Sequence, residues 1–282
     1  MSAKPILLAM VGTAMLCCAS MAFAQNLNIS DATRELQESW NKHPLLVVGD
    51  MHGSREIPAI VASTLESSTG RVLVALELPH DEQELVNNYI DNKVDARKAL
   101  LASAFWARPL NRQDGRSSQG MLELLSTIQG MRRAGKHIDV VCIGGSEGSQ
   151  AIDAAMYARL TQARGAGQFD RALVYVGNAH AAAFDAPDDQ ASLGTLLRSS
   201  NPLIVDISSR CGSIWACGKE GTCGVMSMEH MTCAETGGVA RKSGERLGAD
   251  SLLVLPAFHA SPPAITTVQS IHDVGKNGHE GP

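Results

Sequence analysis

The chain has 282 residues, of which 44% are hydrophobic and 19% charged, and its formal net charge is −5 at pH 7. This balance is ordinary for a globular protein and excludes a disordered chain. The charge comes without a basic patch, which argues against nucleic acid as a partner. The sequence leaves the oligomeric state open.

The first residues have the pattern of an export signal. Lys4 supplies a positive charge, residues 6–18 are mostly apolar, and Ala22-Phe23-Ala24 is a small-x-small cleavage site. We expect a signal peptide over residues 1–24, cleaved after Ala24, and a periplasmic or secreted protein. Its apolar part is too short to cross a bilayer, and we find no other candidate run. We therefore predict no integral membrane segment after cleavage.

The remaining sequence fits one large domain over residues 25–272, followed by a flexible tail over residues 273–282. Apolar runs alternate with amphipathic segments of helical period, which is typical of an α/β fold. We predict a mainly parallel central sheet flanked by helices on both faces, with a disulfide-stapled excursion near the C-terminus. The expected strands cover residues 45–48, 72–78, 137–143, 171–176, 202–207 and 252–255.

Four of the five cysteines after the signal lie in the stretch 211–233, at Cys211, Cys217, Cys223 and Cys233. An exported chain meets an oxidising compartment, so we expect two disulfides, in any of three pairings. A zinc site built from four thiolates is the alternative, but the spacing lacks the C-x2-C knuckles of zinc ribbons. We interpret the stretch as a Cys-rich insertion and Cys142 as a buried, inert thiol.

The sequence G-D-M-H-G-S-R-E at residues 49–56 joins the first predicted strand to a helical segment. In parallel sheets, ligands bind at the carboxyl ends of the strands, where such turns lie. If the helix begins near His52, the side chains of His52 and Glu56 converge on one face. An imidazole beside a carboxylate suits a metal site or an acid/base pair. The alternative is that Asp50 or Ser54 caps the helix and the histidine is incidental.

Two further predicted strands end in residues with related chemistry. Glu77 ends an apolar strand, where a carboxylate is costly to bury unless it is paired or bound to a cation. The alternative for Glu77 is a salt bridge to a nearby arginine. The sequence G-N-A-H at residues 177–180 repeats the G-x-x-H pattern of residues 49–52. Together His52, Glu77 and His180 match the two-His, one-carboxylate set of open catalytic metal sites.

Arg116 is a further candidate. It lies in the sequence D-G-R-S-S at residues 114–118, just before a helix predicted over residues 119–134. Ser117 or Ser118 is the expected N-cap of that helix. An arginine in a loop at a helix start can face an anionic oxygen. A solvated surface arginine is the alternative.

These motifs resemble those of the superfamily that joins erythromycin esterases, ChaN-type haem-binding proteins and the Tiki/TraB group. The similarity covers most of residues 45–181. The H-G-S-x-E form is most similar to the esterase-like and ChaN-like branches, while G-N-x-H is similar to Tiki proteases. The resemblance implies an α/β sheet covered by helices and a cleft whose lining residues are His52, Glu56, Glu77 and His180, with Arg116 as a further member. It also implies that metal-dependent peptidases and esterases that activate water with His and Glu are relatives.

Our first hypothesis is an exported hydrolase that acts on an ester or peptide bond of a small-molecule or peptide substrate. A divalent metal ion on His52, Glu77 and His180 would lower the pKa of a bound water towards about 7. Glu56 would then take the proton, and Arg116 would stabilise the oxyanion. In a metal-free variant, His52 with Glu56 or Glu77 acts directly as the base on water.

Two other functions stay open at this stage. A periplasmic uptake protein of the ChaN type would bind haem or a metal, with His or Tyr as axial haem ligands. A third hypothesis is an envelope protein whose Cys-rich insertion, residues 211–233, is an interaction surface.

Overall fold

The computed structural model describes residues 29–145, 152–183, 191–209, 211–218, 220–228 and 248–265. The predicted signal at residues 1–24, Cys233 and the predicted tail at residues 273–282 lie outside these ranges.

In the described part of the chain, eight strands form two sheets. Six are parallel and lie in the order β3-β2-β4-β1-β5-β8. The other two, β6 and β7, form an antiparallel hairpin. The strands are β1 (Leu45–Asp50), β2 (Val72–Pro79), β3 (Ile138–Gly144), β4 (Arg171–Gly177), β5 (Leu203–Ser209), β6 (Ser213–Cys217), β7 (Cys223–Ser227) and β8 (Ser251–Leu255).

Helices cover both faces of the large sheet, because alternate residues of its strands point to opposite sides and are apolar on both. Leu46 and Val48 of β1 pack into one core and Leu45 and Val47 into the other. The first core includes residues of α1 (Ile29–Trp40), α2 (Glu56–Glu66), α3 (Gln83–Ile90), α4 (Ala96–Leu101) and α5 (Gln119–Arg133). The second includes residues of α6 (Ile152–Ala166), α7 (Asn178–Ala181) and α8 (Leu193–Leu197). Short 3-10 turns occupy His80–Glu82, Leu110–Arg112 and Arg198–Ser200.

The predicted fold class is thus confirmed: the sheet is parallel and flanked by helices, and a disulfide lies in the C-terminal region. Cys217 and Cys223 are bonded to each other and staple the β6–β7 hairpin. Cys211 is disulfide-bonded as well. Cys142 is a free thiol that is fully buried in the first core. Within the described ranges, no helix is both long and apolar enough to span a membrane.

The register of the sheet brings the predicted motifs to one edge. Asp50, the last residue of β1, is level with Gly177, the last residue of β4. On the other side of β4, β2 runs parallel to it and ends just beyond Glu77. The carboxyl ends of β1, β4 and β2 are therefore neighbours, although they are far apart in sequence.

Candidate active site

Glu77 lies at the centre of the candidate site. It is near the end of β2, and its side chain is 6% exposed. Its Oε2 accepts a hydrogen bond of 2.6 Å from the backbone N–H of Gly177 and lies 3.2 Å from Nε2 of His52. Its Oε1 lies 3.4 Å from Nη1 of Arg116. Three donors from three separate parts of the chain thus converge on one buried carboxylate.

His52 lies in the turn between β1 and α2 and bridges two carboxylates. Its Nδ1 is 3.0 Å from Oδ2 of Asp50, and its Nε2 faces Glu77. The same Oδ2 atom accepts a hydrogen bond of 2.7 Å from the hydroxyl of Tyr175, which lies on β4. Because carboxylates flank both ring nitrogens, both can carry protons, which makes the ring an imidazolium.

The electrostatics of His52 and Glu77 favour an ion pair. Burial opposes a charge on His52, but the carboxylates of Glu77 and Asp50 outweigh it and raise the pKa of His52 from 6.5 to about 10. Burial would likewise raise the pKa of Glu77, but His52, followed by His180 and Arg116, lowers it from 4.5 to about 2. At neutral pH the pair is therefore an imidazolium beside a carboxylate.

Arg116 reaches Glu77 from a turn that fixes its guanidinium. Its Nη2 and Nε lie 2.7 and 3.2 Å from Oδ2 of Asp114, two residues earlier. Burial disfavours the charge, but Asp114 and then Glu77 raise the pKa of Arg116 above its ordinary value. The guanidinium is 19% exposed, which excludes the alternative of a fully solvated surface arginine. The N-cap of α5 is Ser118, whose side chain accepts from the N–H of Met121.

His180 completes the arrangement from α7, immediately after β4. Its Nδ1 is 2.9 Å from Oδ1 of Asp153, which also accepts a hydrogen bond of 2.9 Å from the N–H of Leu193. Its Nε2 points towards Glu77 and is 3.8 Å from Oε1, which is beyond direct hydrogen-bonding distance. The hydrogen bond to Asp153 outweighs burial and, helped by Glu77, raises the pKa of His180.

Glu56 lies elsewhere. The structure begins α2 at Glu56 itself, and His52 lies in a turn before it, so the two side chains do not share a helix face. The carboxylate of Glu56 accepts hydrogen bonds from the backbone N–H of His259 at 3.0 and 3.2 Å. Its Oε1 also lies 2.7 Å from Nδ1 of that residue. Among the described residues, the contacts of this carboxylate therefore tie α2 to the segment after β8.

The structure thus brings His52, Glu77, Arg116 and His180 together, and it gives Glu56 a different partner. The two G-x-x-H segments, residues 49–52 and 177–180, lie close together because β1 and β4 are adjacent strands that end at the same level. The carboxylate of Glu77 is also paired with Arg116, which is the salt bridge that the alternative interpretation predicted.

The donor atoms suit a metal ion in their chemistry, but their arrangement does not. The imidazoles of His52 and His180 approach different oxygen atoms of Glu77. The guanidinium of Arg116, which repels a cation, shares one of these oxygens, and the N–H of Gly177 takes the other. No group of three or more His, Cys, Asp or Glu side chains within the described ranges is placed to hold a metal. A metal ion on Glu77 would lie beside the guanidinium of Arg116, which disfavours a second cation at this carboxylate.

Sequence reasoning did not assign four residues that support the site, namely Asp50, Asp114, Asp153 and Tyr175. Asp50 and Asp114 could have been found from the sequence, because each precedes its partner, His52 or Arg116, by two residues. Asp153 and Tyr175 could not, since only the packing of α6 against the sheet and the pairing of β4 with β1 bring them near the site.

Comparisons with protein-family models and with curated proteins find no match. Among solved structures, the type III effector HopBA1 is similar, with a TM-score of 0.44 and 18% sequence identity. The match covers 69% of this chain and 91% of that chain. This similarity is too low to indicate a common function.

Proposed function

We propose that this protein is a hydrolase in which His180 activates water for attack on an ester or peptide bond. The observation that carries the proposal is the Asp153–His180 pair, whose second ring nitrogen faces the Glu77 cluster. When Nδ1–H donates to Asp153, the other nitrogen of the neutral ring, Nε2, presents its lone pair. A carboxylate that holds a histidine in this way also orients the base of serine hydrolases.

The charges of the site favour one of its residues as the base. Glu77, with a pKa of about 2, is too weakly basic to take a proton from water, and His52, with a pKa of about 10, is already protonated at neutral pH. The pKa of His180 is also raised, mainly by Asp153, so its ring is a stronger base than a free imidazole and acts above that pKa; its side chain is partly exposed. We therefore assign the base to His180 rather than to Glu56 or Glu77.

The remaining groups serve the other half of the reaction. The guanidinium of Arg116 stabilises the oxyanion that forms when water attacks the carbonyl carbon. The proton that His180 takes from water passes to the leaving group when the tetrahedral intermediate collapses, so the ring of His180 returns to its neutral form. The imidazolium of His52 stays paired with Glu77 and Asp50. Glu77 carries the negative charge that holds both cations at the edge of the sheet.

Export, predicted from residues 1–24, is compatible with the Cys217–Cys223 disulfide, since disulfides persist in oxidising compartments.

The direct test is hydrolysis of a panel of aryl esters and short peptides by wild type, His180→Asn and Glu77→Gln. We expect His180→Asn to lower the rate on an accepted substrate by about 100-fold or more, which is the usual contribution of a general base. His137→Asn, an exposed histidine before β3, is the matched control and should keep the wild-type rate.

Repeating the assay with a chelator separates metal-free hydrolysis from metal-dependent hydrolysis. The proposal expects the rate to survive a chelator, with no metal in the purified protein. A rate that a chelator abolishes and a divalent ion restores would instead place a metal on His52, Glu77 and His180. Equal rates for wild type and both variants on every accepted substrate would refute this site as the hydrolytic centre, and a wild type that hydrolyses no member of the panel would refute the hydrolase.

A further inference from the structure

The stapled hairpin, defined as β6 and β7 with their Cys217–Cys223 disulfide, contacts both turns that carry cations of the candidate site. The backbone N–H of Trp215 donates to the carbonyl of Gly53, the residue after His52, at 3.0 Å. Its indole Nε1–H donates to the carbonyl of Gln113 at 2.8 Å. A single residue of the hairpin therefore bonds to the His52 turn and to the turn that presents Arg116.

The two turns and the hairpin also meet backbone to backbone. Gly53 and Gly115 have φ angles of +83° and +92°, which L side chains rarely adopt. A Cβ on Gly53 would overlap the carbonyl of Trp215. A Cβ on Gly115 would lie 2.7 Å from the nitrogen of Gly53 and 2.8 Å from the carbonyl oxygen of Trp215. No side chain fits between these three segments.

Other contacts hold each partner in place. The carbonyl of Gly53 also accepts a hydrogen bond of 2.7 Å from the N–H of Ser261, in the segment after β8. Gln113 is 1% exposed, and its side chain donates to the carbonyl of Arg108 and accepts from the hydroxyl of Ser117. Strand β7 also packs against the 3-10 turn Leu110–Arg112. The turn that presents Arg116 is therefore held both by the hairpin and by the buried side chain of Gln113.

We infer that Trp215 is a positioning residue, through which the stapled hairpin fixes the distance between the His52 turn and the Arg116 turn so that both reach Glu77. The disulfide supports this role indirectly. It joins Cys217 to Cys223 at the paired ends of the two strands and so holds the hairpin that carries Trp215. The catalytic consequence rests on the proposed function, whereas the placement of the two turns does not.

Gly115→Ala tests this inference, because the added methyl group separates Gly53 from Gly115 and Trp215. We expect the displaced turn to move His52 away from Glu77, so that the pKa of His52, followed by NMR, falls from about 10 towards 6.5. We expect kcat for an accepted ester to fall about tenfold or more, with little change in KM.

The matched control is Gly135→Ala. This glycine has a positive φ angle of +89°, but a Cβ on it meets nothing within 4 Å. The variant carries the same backbone strain without a steric clash, so the pKa of His52 and kcat should stay at wild-type values. If Gly115→Ala matches this control in both measurements, the inference is overturned.

Two milder variants guard against a misfolded Gly115→Ala protein. Trp215→Phe keeps an aromatic ring but removes the Nε1–H donor to Gln113, and Cys217→Ser with Cys223→Ser removes the staple. We expect each to lower kcat severalfold at constant KM and to shift the NMR signal of His52. Variants that unfold at the wild-type temperature and leave kcat and the His52 signal unchanged would contradict the inference.

The outcomes also separate this inference from the proposed function. If the wild type hydrolyses nothing, the pKa of His52 still reports whether Trp215 and Gly115 set the position of its turn. If the wild type hydrolyses an ester and Gly115→Ala leaves the site intact, only the positioning role fails.

Discussion

Glu77 shows how a single buried carboxylate can be kept charged in this protein. Desolvation of a carboxylate costs several kcal/mol, and this cost is offset only when donors surround the group. Here the N–H of Gly177, the ring of His52 and the guanidinium of Arg116 do so. Removing any one donor leaves charge uncompensated, so these residues act as a unit and their effects are not expected to add.

Asp153→Asn is the first prediction at the residue scale. The hydrogen bond that Asp153 accepts from His180 is the largest influence that raises the pKa of His180, so the variant should lower that pKa. The acid limb of the rate profile, where the base becomes protonated, should then move to lower pH, while kcat falls because the ring loses its fixed orientation. The measurement is the pH dependence of kcat/KM on an ester.

Asp139→Asn provides the control for this prediction, because Asp139 is an exposed aspartate on β3 at the other end of the sheet. An acid limb that stays in place in Asp153→Asn would show that His180 is not the base.

Residue types at strand ends were enough to predict that His52, Glu77 and His180 lie close together, because parallel strands collect their carboxyl ends at one edge of a sheet. Arg116 was a candidate only because it lies in a loop before a helix. Asp153 could not be predicted, because it becomes a neighbour of His180 only when α6 packs on the sheet. The prediction for Glu56 depended on the residue at which α2 begins, which the sequence leaves uncertain by a few positions.

At the scale of elements, β1 and β4 end at the same level, which brings the backbone of Gly177 close to the side chains of His52 and Glu77. Gly177 lies where the two strands end, and a Cβ on it would be 3.0 Å from Nε2 of His52 and 3.3 Å from Oε2 of Glu77. The backbone N–H of Gly177 is needed as a donor, but a side chain at this position intrudes on the ion pair.

Gly177→Ala is therefore predicted to separate His52 from Glu77 while leaving the fold intact. We expect about a tenfold loss of kcat and, because the ion pair is weakened, a loss of about 1–3 kcal/mol in the free energy of unfolding. Gly130→Ala is the matched control: it lies in α5 with open space around its Cβ position. It should keep wild-type kcat and raise stability by about 0.5–1 kcal/mol. Equal kcat for the two variants would contradict the close packing at Gly177.

The elements themselves were largely predictable. Continuous apolar runs placed all six parallel strands to within a few residues, because strands buried on both faces are mostly apolar. The hairpin of β6 and β7 was not predicted as a pair of strands, since its residues are mostly half-exposed and show no alternation. Only its cysteines marked it, and three pairings were compatible with their spacing.

For the whole molecule, the His52–Glu77 pair makes stability depend on pH in a defined window. The pKa of His52 rises from 6.5 to about 10 on folding, so its contribution is complete below pH 6.5 and is lost as the pH rises through about 10. The pKa of Glu77 falls from 4.5 to about 2, so its contribution is complete above pH 4.5 and is lost as the pH falls through about 2. The pair contributes fully between pH 4.5 and 6.5.

His52→Asn tests this linkage in the intact protein. Between pH 6.5 and 10, the wild type should lose on the order of 3 kcal/mol more of its free energy of unfolding than the variant loses. Urea denaturation at several pH values measures the difference, and the variant corrects for all other groups that titrate. A difference between the two proteins that stays constant over this range would show that His52 is not held as an imidazolium.

The measurement that tests the central claim most directly is the protonation of His52, followed by NMR of its ring nitrogens in the folded wild type from pH 5 to 10.5. The structure predicts that both nitrogens carry protons at pH 8 and that the ring titrates with a pKa of about 10. In Glu77→Gln the pKa should fall markedly, because the largest favourable influence is removed. A neutral His52 at pH 8, or a pKa near 6.5 in the wild type, would contradict the ion pair on which the site is built.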